Sequence, residues 1–155
     1  MMGYEIVGID IRDFGYKHPN FTFLKDDFIT HKFAEKFDVI IDISAIEHFG
    51  LNYYGSLKPN KNADTEAIRK VFSLLKTGGQ FIFTAPCGRH EIIGTFERIY
   101  DRNDLKSLLD KFKLLNIEFY KVTNHSKIDM ISESEAMAMR YNNDCYSVVL
   151  INAKK

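Results

Sequence analysis

The stretch from Phe37 to Leu51, FDVIIDISAIEHFGL, most constrains what this chain can fold into. Its first half is a continuous apolar run rich in Val and Ile, which is typical of a strand buried on both faces of a sheet. The run ends abruptly in a polar turn, Ser44 to His48. Open α/β sheets place their chemistry at such carboxyl ends of strands. The stretch therefore predicts a central strand followed by a functional turn.

Length and composition indicate one globular domain over residues 1–155, because the chain can bury a core but is short for two domains. Lys+Arg and Asp+Glu both number 21, so no net charge favours nucleic acid or an anionic membrane. Cys87 and Cys145 lack metal-ligand spacing and are predicted to be free thiols in a reducing compartment. We expect a cytoplasmic protein without a metal site, a nucleic-acid partner or a membrane span.

Strands and helices are predicted to alternate along most of the chain. Ile68, Val71, Phe72 and Leu75 recur at the spacing of an amphipathic helix, and Gly78-Gly79 is predicted to end it. The pattern favours an open, three-layer α/β sheet, mostly parallel, with an antiparallel last strand. The predicted strands are Tyr4–Asp10, Phe21–Lys25, Phe37–Ile43, Gln80–Ala85, Ile117–Val122 and Tyr146–Ile151, and the predicted helices are Ala63–Lys76, Asp101–Leu114 and Ser132–Arg140.

An ordered series of motifs resembles a known family. In chain order, GIDIR, FLKDDF, FDVIIDISAIEHFG and LLKTGGQFIFTAPCG resemble the second to fifth strand segments of class I S-adenosylmethionine-dependent methyltransferases. The likeness continues through RIYDRNDLKSLL, and the order and spacing carry it more than any single motif. It implies a Rossmann-like fold, S-adenosylmethionine as cofactor, and methyl transfer to an oxygen or nitrogen of a small molecule. The IEHFGL turn is similar to a subgroup often associated with sugar pathways.

The resemblance implies which residues hold the cofactor. Asp10, at the end of its strand, would accept hydrogen bonds from two ribose hydroxyls, and a surface or capping role is the alternative. Asp27 would take the adenine amino group, with Asp26 as the adjacent candidate and a plain Asx-turn as the alternative. Phe28 would pack on the base. The cofactor-binding candidates are Asp10, Ile11, Asp27, Phe28 and Ser44.

The resemblance also places Glu47 and His48 nearest the transferred methyl group, as the catalytic candidates. His titrates near neutral pH, so His48 can remove a proton from an attacking hydroxyl or amine. The alternative is that both side chains only brace the loop, with Glu47 accepting backbone N–H bonds. The substrate-binding candidates are Tyr53, Tyr54, Arg89 and His90, for which packing and solvation are the alternatives.

The sequence departs from the family at its start. The family's first strand and Gly-rich loop, which receives the methionine part of the cofactor, would precede GYEIVGID, where only Met1 and Met2 stand. Three alternatives follow: a piece of a longer product, a strand at Tyr4 that pairs directly with Phe37–Ile43, or a strand supplied by a partner chain or a second copy. We expect weak or no binding of S-adenosylmethionine by the isolated chain.

Two other functional classes stay open. A methyltransferase-like domain without the Gly-rich loop can serve as a non-catalytic binding or assembly module. A nicotinamide-nucleotide domain is a further alternative, because GID followed by Arg12 is similar to an adenosine-ribose site.

Overall fold

A computed structural model describes residues 3–55 and 59–155 of the chain. The polypeptide forms two compact units, one ending at Ala34 and the other running from Glu35 to Lys155. None of the helices within the described residues has the length and apolar character needed to cross a membrane.

The smaller unit contains a two-stranded parallel sheet. Its strands are β1 (Ile6–Asp10) and β2 (Phe21–Lys25), and Asp10 lies opposite Lys25 at their carboxyl ends. The β2 prediction is confirmed to the residue. The connection between the strands packs Phe14 against the rings of β2, at 5.8 Å from Phe21 and 5.6 Å from Phe23 between ring centroids. Aromatic contacts therefore hold the connection against β2.

The larger unit is a five-stranded mixed sheet with three helices. Its strand order is β3-β4-β9-β7-β8, with β3 and β4 parallel and every other neighbouring pair antiparallel. The predicted α/β fold and its antiparallel last strand, β9, are confirmed. The elements are β3 (Phe37–Ile43), a 3₁₀ turn (Ile46–His48), α1 (Ala63–Leu74), β4 (Leu75–Cys87), β5 (Glu91–Ile93), β6 (Glu97–Ile99), α2 (Arg102–Leu108), β7 (Lys113–Thr123), β8 (Lys127–Ile131), α3 (Glu133–Ala138) and β9 (Cys145–Lys154).

The core lies on one face of the larger sheet. Phe81 and Phe83 of β4 and Ile151 of β9 are fully buried on this face. Phe112 covers them, since its ring lies 5.5 Å from that of Phe81 and 5.1 Å from that of Phe72 on α1. Burying apolar side chains here supplies the main stabilisation of the unit.

The opposite face of β3 corrects one prediction. Val39, Ile41 and Ile43 are 45%, 59% and 73% exposed, so the strand is not buried on both faces as its composition predicted. Successive side chains alternate between faces, and only the face of Ile40 and Asp42 lies on the side of the packed core. An apolar run specifies a strand but does not say which faces are covered.

Several element boundaries also differ from prediction. Gly78 and Gly79 lie inside β4 instead of ending α1, which stops at Leu74 and passes directly into the strand. Gly79 allows a close approach, because a Cβ there would lie 3.0 Å from the Asp38 carbonyl oxygen. The second helix begins at Arg102, one residue after its predicted start, and ends at Leu108 instead of Leu114. The β5–β6 hairpin and β8 were not predicted.

Candidate active site

The turn after β3 is fixed at the carboxyl end of the parallel β3–β4 pair. Ser44 has φ of 48°, and its N–H donates to the Thr84 carbonyl at 3.1 Å. The Ser44 and Thr84 hydroxyls are 3.3 Å apart. The Asp42 carboxylate accepts the Ile46 N–H at 3.5 Å and helps start the 3₁₀ turn. The turn packs against α1, β4 and β6, and the side chain of Glu47 is buried.

Glu47 is a buried carboxyl group without a hydrogen-bond partner. The residue is 0% exposed, and no hydrogen bond in the described residues reaches either of its carboxylate oxygens. Burial raises the pKa of Glu47 to about 9, and the nearby Asp42 and Glu97 carboxylates raise it further. The backbone N–H of Glu47 and, less strongly, the Ser44 hydroxyl oppose this rise of the pKa. The bracing role, in which this carboxylate accepts backbone N–H bonds, stays a prediction.

His48 is held in one orientation by the loop between β5 and β6. Its Nδ1 donates to the Phe96 carbonyl at 2.5 Å, so the neutral ring carries its lone pair on Nε2. Nε2 lies 3.9 Å from Oε1 of Glu47. The ring also packs edge-on against Tyr54, at 5.3 Å, and lies 4.8 Å from the Phe96 ring. The structure therefore gives His48 a basic nitrogen with a fixed direction.

The two predicted substrate tyrosines meet at this turn. Tyr53 packs on Phe96 at 4.8 Å and on Tyr54 at 4.9 Å, while Tyr54 touches the His48 ring. Tyr53 is 57% exposed, so this aromatic wall has a solvent-facing side. Tyr53, Tyr54, Glu47 and His48 thus form one group, with Phe96 as a member that the sequence did not reveal.

Glu97 is a second buried acid that the sequence did not reveal. It opens β6, is 5% exposed, and its Oε1 has no hydrogen-bond partner in the described part of the chain. One ligand atom each from Glu47, His48 and Glu97 lies within 4.8 Å of the other two. These three residues, named here the Glu–His–Glu cluster, are the described residues able to share a metal ion. No metal site was predicted from the sequence.

Arg98, the next residue, ties the turn to the chain that follows it. Its Nη1 donates to the carbonyls of Glu47 and Phe49 at 3.0 and 2.7 Å, and its Nη2 donates to the carbonyl of Lys61 at 3.2 Å. Its Nε lies 3.4 Å from the buried Asp64 carboxylate of α1. The sequence signal that could have revealed these two buried residues was the Glu97-Arg98 pair of charges inside the otherwise apolar run FERIY.

Arg89 and His90 have partners elsewhere in the larger unit. The N–H of Arg89 and its Nε donate to the carbonyls of Met139 and Ala138 at 2.9 and 3.2 Å. His90 Nδ1 lies 2.7 Å from Asp104 of α2, and this hydrogen bond raises the pKa of His90. Their contacts thus run to α2 and to the end of α3. Substrate binding by this pair stays a prediction.

The remaining cofactor candidates lie in the smaller unit. Arg12 makes a two-pronged ion pair with Asp10, at 3.0 and 2.8 Å, and this hydrogen bonding lowers the pKa of the carboxyl group. Asp27 Oδ1 accepts the Ile29 N–H at 2.7 Å, as in an Asx-turn. Phe28 packs against Phe33 at 5.9 Å, and Ile11 is 39% exposed.

Solved structures with a similar fold include S-adenosylmethionine-dependent methyltransferases. N-methyltransferase NodS from Bradyrhizobium japonicum WM9 is 11% identical, with 89% of this chain and 61% of NodS covered, at a TM-score of 0.55. A putative methyltransferase from Listeria monocytogenes is 12% identical, with coverages of 97% and 80%, at 0.60. The 1,6-didemethyltoxoflavin-N1-methyltransferase from Burkholderia thailandensis, solved with bound 1,6-didemethyltoxoflavin and S-adenosylhomocysteine, is 13% identical, with coverages of 99% and 62%, at a TM-score of 0.58.

These likenesses confirm the methyltransferase fold that the motif series predicted. The chain spans less than two thirds of the NodS structure, and no curated protein sequence matches it. A family model does match, over residues 9–153, which is nearly the whole chain. The chain therefore belongs to the family described as Caenorhabditis protein of unknown function, DUF268.

Proposed function

We propose that this chain transfers a methyl group from S-adenosylmethionine to an oxygen or nitrogen of a small molecule, such as a sugar derivative. The observation that carries the proposal is His48, which is oriented by the Phe96 carbonyl at the carboxyl end of the parallel β3–β4 pair. Catalytic groups collect at that edge in open α/β sheets. The similarity of the fold to methyltransferases supports this reaction class over other chemistry on the same kind of sheet.

The chemistry of the candidate residues fits the nucleoside part of the cofactor. Asp10 is held ionised by Arg12, and its side chain is 35% exposed, so it can accept hydrogen bonds from ribose hydroxyls. Arg12 is itself 60% exposed and can swing away without leaving a buried charge. Asp27 offers its second carboxylate oxygen to an adenine amino group, because Oδ1 is taken by Ile29. Phe28 then offers an aromatic face to the base.

His48 serves as the base in this proposal. When bound, S-adenosylmethionine supplies a methyl group on a positively charged sulfur, which keeps the bonding electron pair as the acceptor attacks. Nδ1 of His48 donates its hydrogen bond to the Phe96 carbonyl, so Nε2 receives the proton that the methyl acceptor loses. Tyr53 and Tyr54 form the wall beside which the acceptor binds. Most of the rate enhancement then comes from positioning.

Two substitutions test the assignment. His48→Asn keeps a side-chain N–H that can reach the Phe96 carbonyl but removes Nε2, and we expect turnover to fall by about 10²-fold or more. Asp10→Asn should weaken S-adenosylhomocysteine binding below the already weak affinity expected of the parent, without changing the fold. Isothermal titration calorimetry measures the binding, and transfer of labelled methyl to a panel of small hydroxyl and amine compounds measures turnover.

The matched controls are His125→Asn, an exposed histidine in the β7–β8 turn, and Asp13→Asn, whose side chain is 82% exposed. Both should leave binding and turnover unchanged. Turnover that survives both His48→Asn and Asp10→Asn would show that the residue assignment is wrong. A chain that binds S-adenosylhomocysteine but methylates no acceptor would favour the non-catalytic binding module instead.

A further inference from the structure

We propose that Glu47, His48 and Glu97 bind one divalent first-row transition-metal ion. Nε2 of His48 and Oε1 of Glu47 are 3.9 Å apart, and the three ligand atoms lie within 4.8 Å of one another. Two ligands come from consecutive residues of the 3₁₀ turn and the third from the start of β6. The site is thus built from two elements that pack together.

Unsatisfied buried oxygens are the strongest evidence for a ligand here. Both carboxylate oxygens of Glu47 and Oε1 of Glu97 are buried without a hydrogen-bond partner in the described residues. Buried polar atoms are nearly always satisfied in folded proteins, and a buried carboxylate that lacks a partner is costly. A cation shared by the two carboxylates would satisfy all three oxygens in one place.

The nearest buried cation of the protein does not fill this role. Arg98 is adjacent to Glu97, but its Nε faces Asp64 and its other donors go to backbone carbonyls. Within the described residues, no ion pair of 4 Å or less joins Arg98 to Glu47 or Glu97. Arg98 therefore leaves the buried oxygens of the Glu–His–Glu cluster without a partner.

The hydrogen bonding of His48 suits metal coordination. Ligand histidines usually donate their second ring N–H to a carbonyl or a carboxylate, which fixes the tautomer and the ring direction. The Phe96 carbonyl has this role on Nδ1, so Nε2 presents its lone pair to the cluster. The 12% exposure of the His48 side chain leaves access for an ion or a water ligand.

The donor set defines the class of ion. Two carboxylates and one imidazole match the charge of a divalent ion, and mixed oxygen and nitrogen donors suit Mn²⁺, Fe²⁺ or Zn²⁺ better than Ca²⁺. Ligand bonds of roughly 2.1 Å require donor atoms closer than the present 4.8 Å limit, so binding would draw the side chains together. Three protein ligands leave at least one position for water or an exogenous oxygen.

Metal binding is tested on the untagged full chain after treatment with a chelator. Titration with Zn²⁺ and with Mn²⁺ in a calorimeter should show one ion per chain, and Co²⁺ should give a visible absorption band that Zn²⁺ abolishes. Glu97→Gln and Glu47→Gln should each weaken binding by about 10-fold or more. Their fold is checked separately by circular dichroism and urea unfolding. His125→Asn is the control and should bind as the parent does.

The outcome does not depend on methyl transfer, because neither cofactor nor acceptor is present in the titration. No binding by the parent chain, or equal affinity in the parent and both glutamine variants, would overturn the metal site. Nε2 of His48 cannot hold a metal ion and accept a proton together. If both proposals hold, added metal therefore inhibits methyl transfer, and chelation restores it.

Discussion

Replacing Arg98 should cost more stability than replacing any exposed arginine of this chain. Arg98 is 4% exposed, donates three hydrogen bonds to carbonyls at 2.7 to 3.2 Å and faces a carboxylate at 3.4 Å. Arg98→Met keeps much of the side-chain volume but leaves Asp64 as a buried charge without its cation. Breaking a buried pair in this way costs about 3–5 kcal/mol. That is a large share of the roughly 5–15 kcal/mol that stabilises a typical domain.

The measurement is urea unfolding, followed by circular dichroism at neutral pH. With a slope of roughly 2 kcal/mol per molar urea, the midpoint should fall by about 2 M. Arg102→Met is the matched control, because Arg102 makes an even shorter ion pair, at 2.8 Å with Glu133, but its side chain is 64% exposed. Solvent-exposed pairs contribute only about 0.2–1 kcal/mol, so the control should hardly move the midpoint.

A double variant separates lost pairing from lost packing. Arg98→Met combined with Asp64→Asn removes the stranded charge, and Tyr100, whose hydroxyl donates to Asp64 at 3.2 Å, can still donate to the amide oxygen. The double variant should therefore be more stable than Arg98→Met alone. A loss below about 1 kcal/mol for Arg98→Met, equal to that of Arg102→Met, would refute the idea that this buried cation holds the turn together.

Two further predictions concern charge. The Asp104 hydrogen bond raises the pKa of His90 in the folded state, so its stabilisation is complete below the unfolded pKa of about 6.5 and is lost as the pH rises through the folded value. Melting temperatures measured from acidic to mildly alkaline pH should show this loss in the parent and not in His90→Asn. An equal dependence of melting temperature on pH in both proteins would contradict it. In chelator-treated protein, the urea midpoint of Glu97→Gln should equal or exceed that of the parent, because the substitution removes a buried charge near Glu47. A clearly lower midpoint would contradict this.

The sequence predicted the elements whose patterns are long and regular. The strand Phe37–Ile43 and the start of α1 at Ala63 agree with prediction to the residue. Asp101, where the second helix was predicted to start, caps α2, since its carboxylate accepts the N–H groups of Asn103 and Asp104. The predicted C-terminal end of this helix was wrong. Leu109 and Phe112 stay buried after the helix has ended, so their spacing kept the helical pattern without helical backbone.

Only part of the candidate site could be predicted from the sequence, for a different reason. Glu47, His48, Tyr53 and Tyr54 lie in one local stretch, so a single motif could point to all of them. Their other partners come from the β5–β6 hairpin, whose strands have three residues each. Strands that short carry no measurable alternation, and charged residues within them are ordinarily read as solvated. The contact between the 3₁₀ turn and the hairpin is therefore a property of the tertiary structure.

The buried charged residues around the hairpin are of two kinds: some have all their hydrogen-bond partners and stabilise the fold, and others lack partners and are candidates for function. Glu97 and Arg98 are neighbours on β6, yet alternation along a strand sends them to different surroundings. Arg98 is satisfied by three carbonyls and a carboxylate, as a structural charge should be. Glu97 has one carboxylate oxygen without a hydrogen bond and lies near the buried Glu47 carboxyl group, an arrangement that an apolar residue at this position would avoid. A cost of that kind is expected where a ligand binds, so the Glu–His–Glu cluster is the part of this sheet edge to test first.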